Sequence, residues 1–149
     1  MRGTRMIVNF KKMTEEYANL IVSKDFSGNT DCFNLEHEPE DIDDLLDRDG
    51  YEFIASFIDD ETIGFIECYF EDDILEISLA LLPEYMTQGI GTDFVSQGIE
   101  FLIEYYGYSE DVIRSFINKN DKKTIEIMER VGFKVIDVAE EWAELEIEV

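Results

Sequence analysis

Leu81-Leu82-Pro83-Glu84-Tyr85-Met86-Thr87-Gln88-Gly89-Ile90-Gly91-Thr92 is the stretch on which the fold turns. Apolar, strand-like residues run up to Pro83, which cannot donate to a ladder and so closes the strand. Beyond Gly89-Ile90-Gly91, the apolar residues Phe94, Val95, Ile99, Leu102 and Ile103 recur at helical spacing, which predicts a helix to about Tyr106. A strand thus hands over to a helix through a Gly-x-Gly turn. Two glycines let the main chain approach an anion closely, and the free N–H groups of the helix's first turn meet it with the positive end of the helix dipole. A diphosphate suits such a turn. A dinucleotide fingerprint is excluded, because its third glycine falls on Phe94, and a Walker loop is excluded because no Gly-Lys-Ser/Thr follows.

Upstream of the turn lie three extended runs, Tyr51–Ile58, 62–71 and 74–82, separated by Asp59-Asp60-Glu61 and Asp72-Asp73. Short acidic turns between strand-like runs predict an antiparallel meander. Further upstream, residues 6–10 read as a strand and 14–24 as a helix capped by Thr14, with Glu15 and Glu16 at its positive end. Glu40 to Asp47 reads as a short acidic surface helix ended by Asp49-Gly50. Downstream, 112–117 is a strand, 122–131 a helix ended by Gly132, and 133–138 and 142–149 two closing strands. The order β-α-α-β-β-β-α-β-α-β-β predicts an α/β fold with a mixed sheet covered by helices.

No Pro/Ser/Gly-rich linker, low-complexity tract or repeat divides the 149 residues, so one domain over 1–149 is expected. Lacking an apolar export segment or an apolar run long enough to span a bilayer, the sequence is expected to be cytoplasmic and away from membranes. Two cysteines, Cys32 and Cys68, make no disulfide framework, and Cys68 reads as a small core residue. The net charge of −24 is concentrated: residues 25–113 hold 25 acidic side chains against one basic, Arg48. That surface repels nucleic-acid phosphates and attracts cations, so a nucleic-acid partner is not expected. Counting back from Gly50 as sixth position of a calcium loop puts Leu45 first, which excludes that motif, and His37 lacks a second histidine for zinc; no metal is expected.

With Met86-Thr87-Gln88-Gly89-Ile90-Gly91 at the junction, and residues 118–133 ending in Gly132-Phe133 further on, the sequence resembles the GNAT superfamily of acyl-CoA-dependent N-acetyltransferases. The family signature is Gln/Arg-x-x-Gly-x-Gly/Ala followed by such a Gly-Phe segment, and the meander with Glu61-Thr62-Ile63-Gly64-Phe65 matches the family's element order. The resemblance covers nearly the whole chain. It implies a mostly antiparallel mixed sheet of about seven strands flanked by about four helices. It also implies acetyl-CoA as acyl donor, an amine as acceptor, and a homodimer as a recurring assembly.

By the same resemblance, the main-chain N–H groups of Gln88, Gly89, Ile90, Gly91 and Thr92 would hold the diphosphate, and Leu81 and Leu82 would pair with the pantetheine arm where two parallel strands splay. Asn120, Lys122 and Lys123 would approach the arm and the nucleotide end. Arg114, Lys119, Lys122, Lys123 and Arg130 are the basic residues concentrated in this later part of the chain, and their other reading is a solvated helix start. Asp121 stands where the family often has asparagine, and it also reads as an N-cap. Met86 replaces the usual Gln or Arg, and the loop has no charged side chain. Recognition there would rest on main chain.

Transfer to an amine needs a base to take the ammonium proton, and the departing thiolate benefits from an acid. Glu76 leads as base, because Glu76-Ile77-Ser78-Leu79 precedes the turn as a similar Glu-Ile-Gly-Tyr does in the N-terminal-acetylating branch. Glu67 and Asp73 are the alternatives. The family's tyrosine acid falls on Met128, whose thioether donates no proton, leaving Tyr69, Tyr85, Tyr105, Tyr106, water or the substrate itself. Catalysis of a cationic primary amine's acetylation (aminoglycoside, polyamine, small metabolite amine, protein N-terminus or lysine) is one expectation. A catalytically weak acyl-CoA-binding or interaction module is the other.

Overall fold

Three aspartates adopt the left-handed backbone that their short side chains tolerate, Asp59 (φ 55°), Asp72 (φ 50°) and Asp73 (φ 71°), and they make the two tight turns of the meander. The computed structural model describes residues 6–23, 46, 50–86 and 89–149. The meander strands are β2 (Tyr51–Ile58), β3 (Glu61–Glu71) and β4 (Ile74–Leu81). They are preceded by β1 (Asn9–Lys12) and α1 (Glu15–Val22). After β4 come a one-turn helix α2 (Pro83–Met86), α3 (Gly91–Tyr106), β5 (Val112–Asn118), α4 (Lys122–Val131), β6 (Lys134–Val138) and β7 (Trp142–Glu148).

One seven-stranded sheet results, in the order β1-β2-β3-β4-β5-β7-β6. Every neighbouring pair is antiparallel except β4 with β5. Alternation along the strands sends two apolar sets to opposite faces. Leu75, Ile77, Leu79 and Leu81 of β4 join Ile113 and Ile117 of β5, Phe94, Val95, Ile99 and Leu102 of α3, and Met128 of α4 in the larger core. On the other face Phe53, Ala55, Phe57, Phe65 and Ala80 pack with Ala18 and Ile21 of α1. The sheet is the middle of three layers.

Among the described residues, three helices of eight residues or more and the single turn α2 stand where about four helices are expected; the acidic helix read at 40–47, apart from helical and exposed Leu46, lies outside the described residues, and so do Cys32 and His37. The first strand also shifts. Residues 6–8 do not pair in the sheet, because their main chain bonds to α3 instead: Met6 N–H to Asp93 (3.0 Å), Val8 N–H to the Gln97 side chain (2.9 Å), and Gln97 Nε2 back to the Met6 carbonyl (2.6 Å). The strand therefore starts at Asn9.

Candidate functional site

Among the described residues, the β4–β5 ladder is the only parallel one, and it is short. Leu75 pairs with Ile113, Glu76 with Arg114 and Ile77 with Ser115, and there the registered pairing ends, although β4 continues to Leu81 and β5 to Asn118. Past that point β4 stays bonded to β3 and β5 to β7, so the two strands form a fork. Its closed end is fixed on both sides. The Tyr108 hydroxyl accepts from the Leu75 N–H (2.9 Å) and donates to the Val112 carbonyl (2.6 Å), tying the strand starts together. At the point of divergence the fully buried Ser115 hydroxyl donates to the Ile77 carbonyl (2.8 Å), replacing a main-chain donor that the departing strand no longer brings.

β4 then delivers the chain to the glycine turn. Leu81 and Leu82 are buried, and the Leu82 N–H bonds back to the Ile63 carbonyl at 2.8 Å, so both are held beside the fork. Gly89 takes φ 73°, a left-handed value, and the position of its absent Cβ is open space. α3 begins over Ile90, a buried N-cap that contributes no side-chain hydrogen bond, whereas Thr14 caps α1 and Asp121 caps α4 with side-chain oxygens. The first-turn N–H groups of α3, those of Gly91 and Thr92 among them, thus have no side-chain cap at Ile90 and suit an anion. A Cβ on Gly91 would lie 2.8 Å from Ile127 Cδ1, so this glycine lets α4 pack against the start of α3. Gln88, also assigned to the turn, lies outside the described residues.

α4 brings its own start toward the same region. Asp121 is 3% exposed and caps the helix by accepting from the Thr124 N–H at 3.2 Å. Exposed Asn120, Lys122 and Lys123 flank it. The basic residues adjacent in sequence do not gather in space. Arg114 lies on the opposite sheet face, bonded to Glu146 (2.9 Å) and Glu144 (3.1 Å), and Arg130 pairs with Glu126 at the far end of α4. Lys122 and Lys123 stay exposed at the start of α4.

The candidate acid–base residues divide by face and position. Glu76 and Glu67 share the face that α1 covers over β2–β4: Glu76 is level with Arg114 at the last rungs of the parallel ladder, and Glu67 is the cross-strand partner of Ser78, the first β4 residue past the fork. Burial, then Glu71, pushes the Glu76 carboxyl above the ordinary glutamate range, while Arg114 pulls it back. Tyr69 stands opposite Glu76 with its ring against Tyr51, and Phe116, 41% exposed, follows Ser115 on the same face. Asp73 sits in the β3–β4 turn, before the closed end of the fork, and is not brought to it. Tyr105 and Tyr106 donate to Glu52 on β2, two strands away, and Tyr85 donates to Glu61 at 3.1 Å. Met128 is fully buried, and so is Cys68, whose thiol burial pushes up to about 12. Ser115 and Tyr108 are the fork residues that sequence reading missed. A serine at an inward position of an apolar strand was the available signal.

Among the described residues, no group of three or more His, Cys, Asp or Glu could hold a metal ion, and no helix is long and apolar enough to cross a membrane. Residues 11–134 match the family model described as an acetyltransferase (GNAT) domain. No curated protein matches the sequence. Solved structures do. A variant of the spermidine N-acetyltransferase SpeG from Vibrio cholerae superposes with a TM-score of 0.71 at 12% identity, covering 95% of this chain and 93% of that one. PaiA N-acetyltransferase from Thermoplasma acidophilum, in complex with coenzyme A, gives 0.69 at 18% identity over 97% and 100% of the two chains. The N-acetyltransferase PseH from Campylobacter jejuni, in complex with acetyl coenzyme A, gives 0.69 at 15% identity over 95% and 99%. At such identities the likeness is one of fold.

Proposed function

We propose, from the premise that this chain belongs to the GNAT family and is an acyl-CoA-dependent N-acetyltransferase, that its acceptor is a cationic primary amine bound on the Glu67–Glu76 face of the sheet. The observation that carries this reading is the fork itself. A ladder that stops after Ile77 and Ser115, beside a helix start without a side-chain cap, offers main-chain groups for an extended amide-bearing arm and for a diphosphate. Acetyl-CoA supplies the electrophilic thioester carbonyl. Gly89, Ile90, Gly91 and Thr92, with Gln88, would hold its diphosphate, Leu81, Leu82 and Asn120 its arm, and Lys122 and Lys123 its nucleotide end. The open space at Gly89 and the uncapped α3 fit that group.

The chain's own part in the reaction is to bind, orient and move a proton. Glu76, as carboxylate, removes the proton from the incoming ammonium, and the upward push that burial gives its pKa makes it a stronger base than an exposed glutamate. Glu67 and Glu76 hold the cation, with the exposed ring of Phe116 available to a positive group beside them. Met128 gives the leaving sulfur no O–H, so water is the proton source. The edge strand β6, whose five residues are all exposed, with Val138 58% exposed, is the surface proposed for pairing with a second copy.

The test is thermal melting with acetyl-CoA and with free CoA, followed by thiol release against a panel of polyamines, aminoglycosides and peptide amines. Stabilisation with turnover of a cationic amine supports the reading. Stabilisation without any turnover favours the acyl-CoA-binding module, a reading that Met128 encourages. Gly89→Asp should abolish the stabilisation, because a carboxylate would crowd and repel the diphosphate; an unchanged shift removes the assigned turn.

A further inference from the structure

The stretch that leads from Leu82 to Ile90 and into α3 carries no charged residue between Glu84 and Asp93. Both ends are anchored, Leu82 by its N–H on the Ile63 carbonyl and Ile90 by burial in the larger core. Between them, the Tyr85 side chain reaches back to the body. The Tyr85 ring packs against the larger core, its N–H bonds to the Leu82 carbonyl at 3.0 Å, and its hydroxyl donates to Glu61 Oε2 at 3.1 Å. Glu61 is the first residue of β3, two residues before Ile63, so two consecutive anchors of the β4 exit lie on the same strand start. That strand start is itself pressed onto β4: a Cβ on Gly64 would lie 2.0 Å from the Ala80 carbonyl oxygen. The bond is charge-assisted, and the Tyr85 hydroxyl is kept protonated because burial and then Glu61 push its pKa up.

From this geometry we propose that Tyr85 and Glu61 form a latch that positions the glycine turn for the coenzyme's diphosphate, making the β2–β3 hairpin a structural partner of the coenzyme site. Tyr85 is a positioning residue: it acts through the main chain that follows it. The proposal rests on the coenzyme reading given above. Loosening the latch leaves the core and the acceptor face intact, and widens the range of turn conformations from which the diphosphate must be gripped. The effect therefore belongs to coenzyme affinity, not to the chemical step.

Calorimetric titration of the full chain with CoA tests this with Tyr85→Phe, Glu61→Ala and Glu61→Gln. Tyr85→Phe and Glu61→Ala are expected to raise the CoA Kd and the acetyl-CoA KM by roughly 5- to 10-fold, the scale of one lost charge-assisted hydrogen bond. Turnover at saturating acetyl-CoA and the apo melting temperature stay at wild-type values. Glu61→Gln keeps an acceptor oxygen and recovers most of the affinity, and the double variant Tyr85→Phe/Glu61→Ala is no weaker than either single one. A wild-type Kd in Tyr85→Phe, or additive losses in the double variant, overturns the latch while leaving the coenzyme site standing. Failure of wild-type protein to bind CoA overturns both.

Discussion

Glu76 carries a protonation cost that one substitution exposes in two opposite directions. Its folded-state pKa is raised, burial being the largest cause. Whatever this group contributes to stability is therefore fully present below the ordinary glutamate pKa of about 4.3 and is lost as pH rises through the folded value. Glu76→Gln is accordingly expected to melt slightly above wild type at pH 7, and at the same temperature below about pH 4, as followed by circular dichroism. Solvent screening keeps the difference to at most a few tenths of a kcal/mol. The same variant should lose about 100-fold in kcat below the acceptor's own pKa, since the base is gone. A variant with wild-type kcat in that range removes Glu76 from the reaction. Gly64 is the opposite kind of residue, one whose effect is steric. Because its added Cβ would meet the main chain of Ala80 and Leu81, backbone that cannot swing away, Gly64→Ala is expected to cost about 3 kcal/mol or more in a urea melt.

The pairing of elements explains both what could be read in the sequence and what could not. Local rules placed the meander turns at their aspartates, the Thr14 cap, the Gly132 end of α4 and the bounds of β2 and α4. Residues 6–8 misled because Met6-Ile7-Val8 is a strand-like apolar run, but its main chain bonds to Asp93 and Gln97 on a helix far along the chain, a match no local pattern announces. Basic residues from 114 to 130 read as one group and divide between two sheet faces, because a strand and a helix point their side chains independently. The glycine turn was legible, since positive φ and close packing have a composition. The end of the parallel ladder was not, since it is set by how β5 and β7 diverge from β4. Tyr108 is the element-scale handle on that fork. It serves the starts of both parallel strands with one hydroxyl, and Tyr108→Phe leaves a strand N–H and a carbonyl without that partner. We expect a loss of about 2 kcal/mol in denaturant midpoint analysis, with hydrogen exchange faster at Leu75 than at Leu81.

At the scale of the molecule, a net charge of −24 acts on the two substrates with opposite sign. A cationic amine is drawn in, and a coenzyme bearing phosphates is held off. Raising salt from about 0.05 to 0.5 M screens both effects, so the amine KM should rise several-fold while the acetyl-CoA KM falls. Steady-state kinetics across that range checks it, and parallel movement of the two constants refutes it.

The strand order carries one more consequence. β7, the final strand, is wedged between β5 and β6, so β5 has antiparallel support on that side only once residues 142–148 arrive. Until β7 pairs, then, the arm of the fork formed by β5 is tethered to its sheet by the three rungs to β4 alone, and a chain cut short before Trp142 leaves β5 as an open edge.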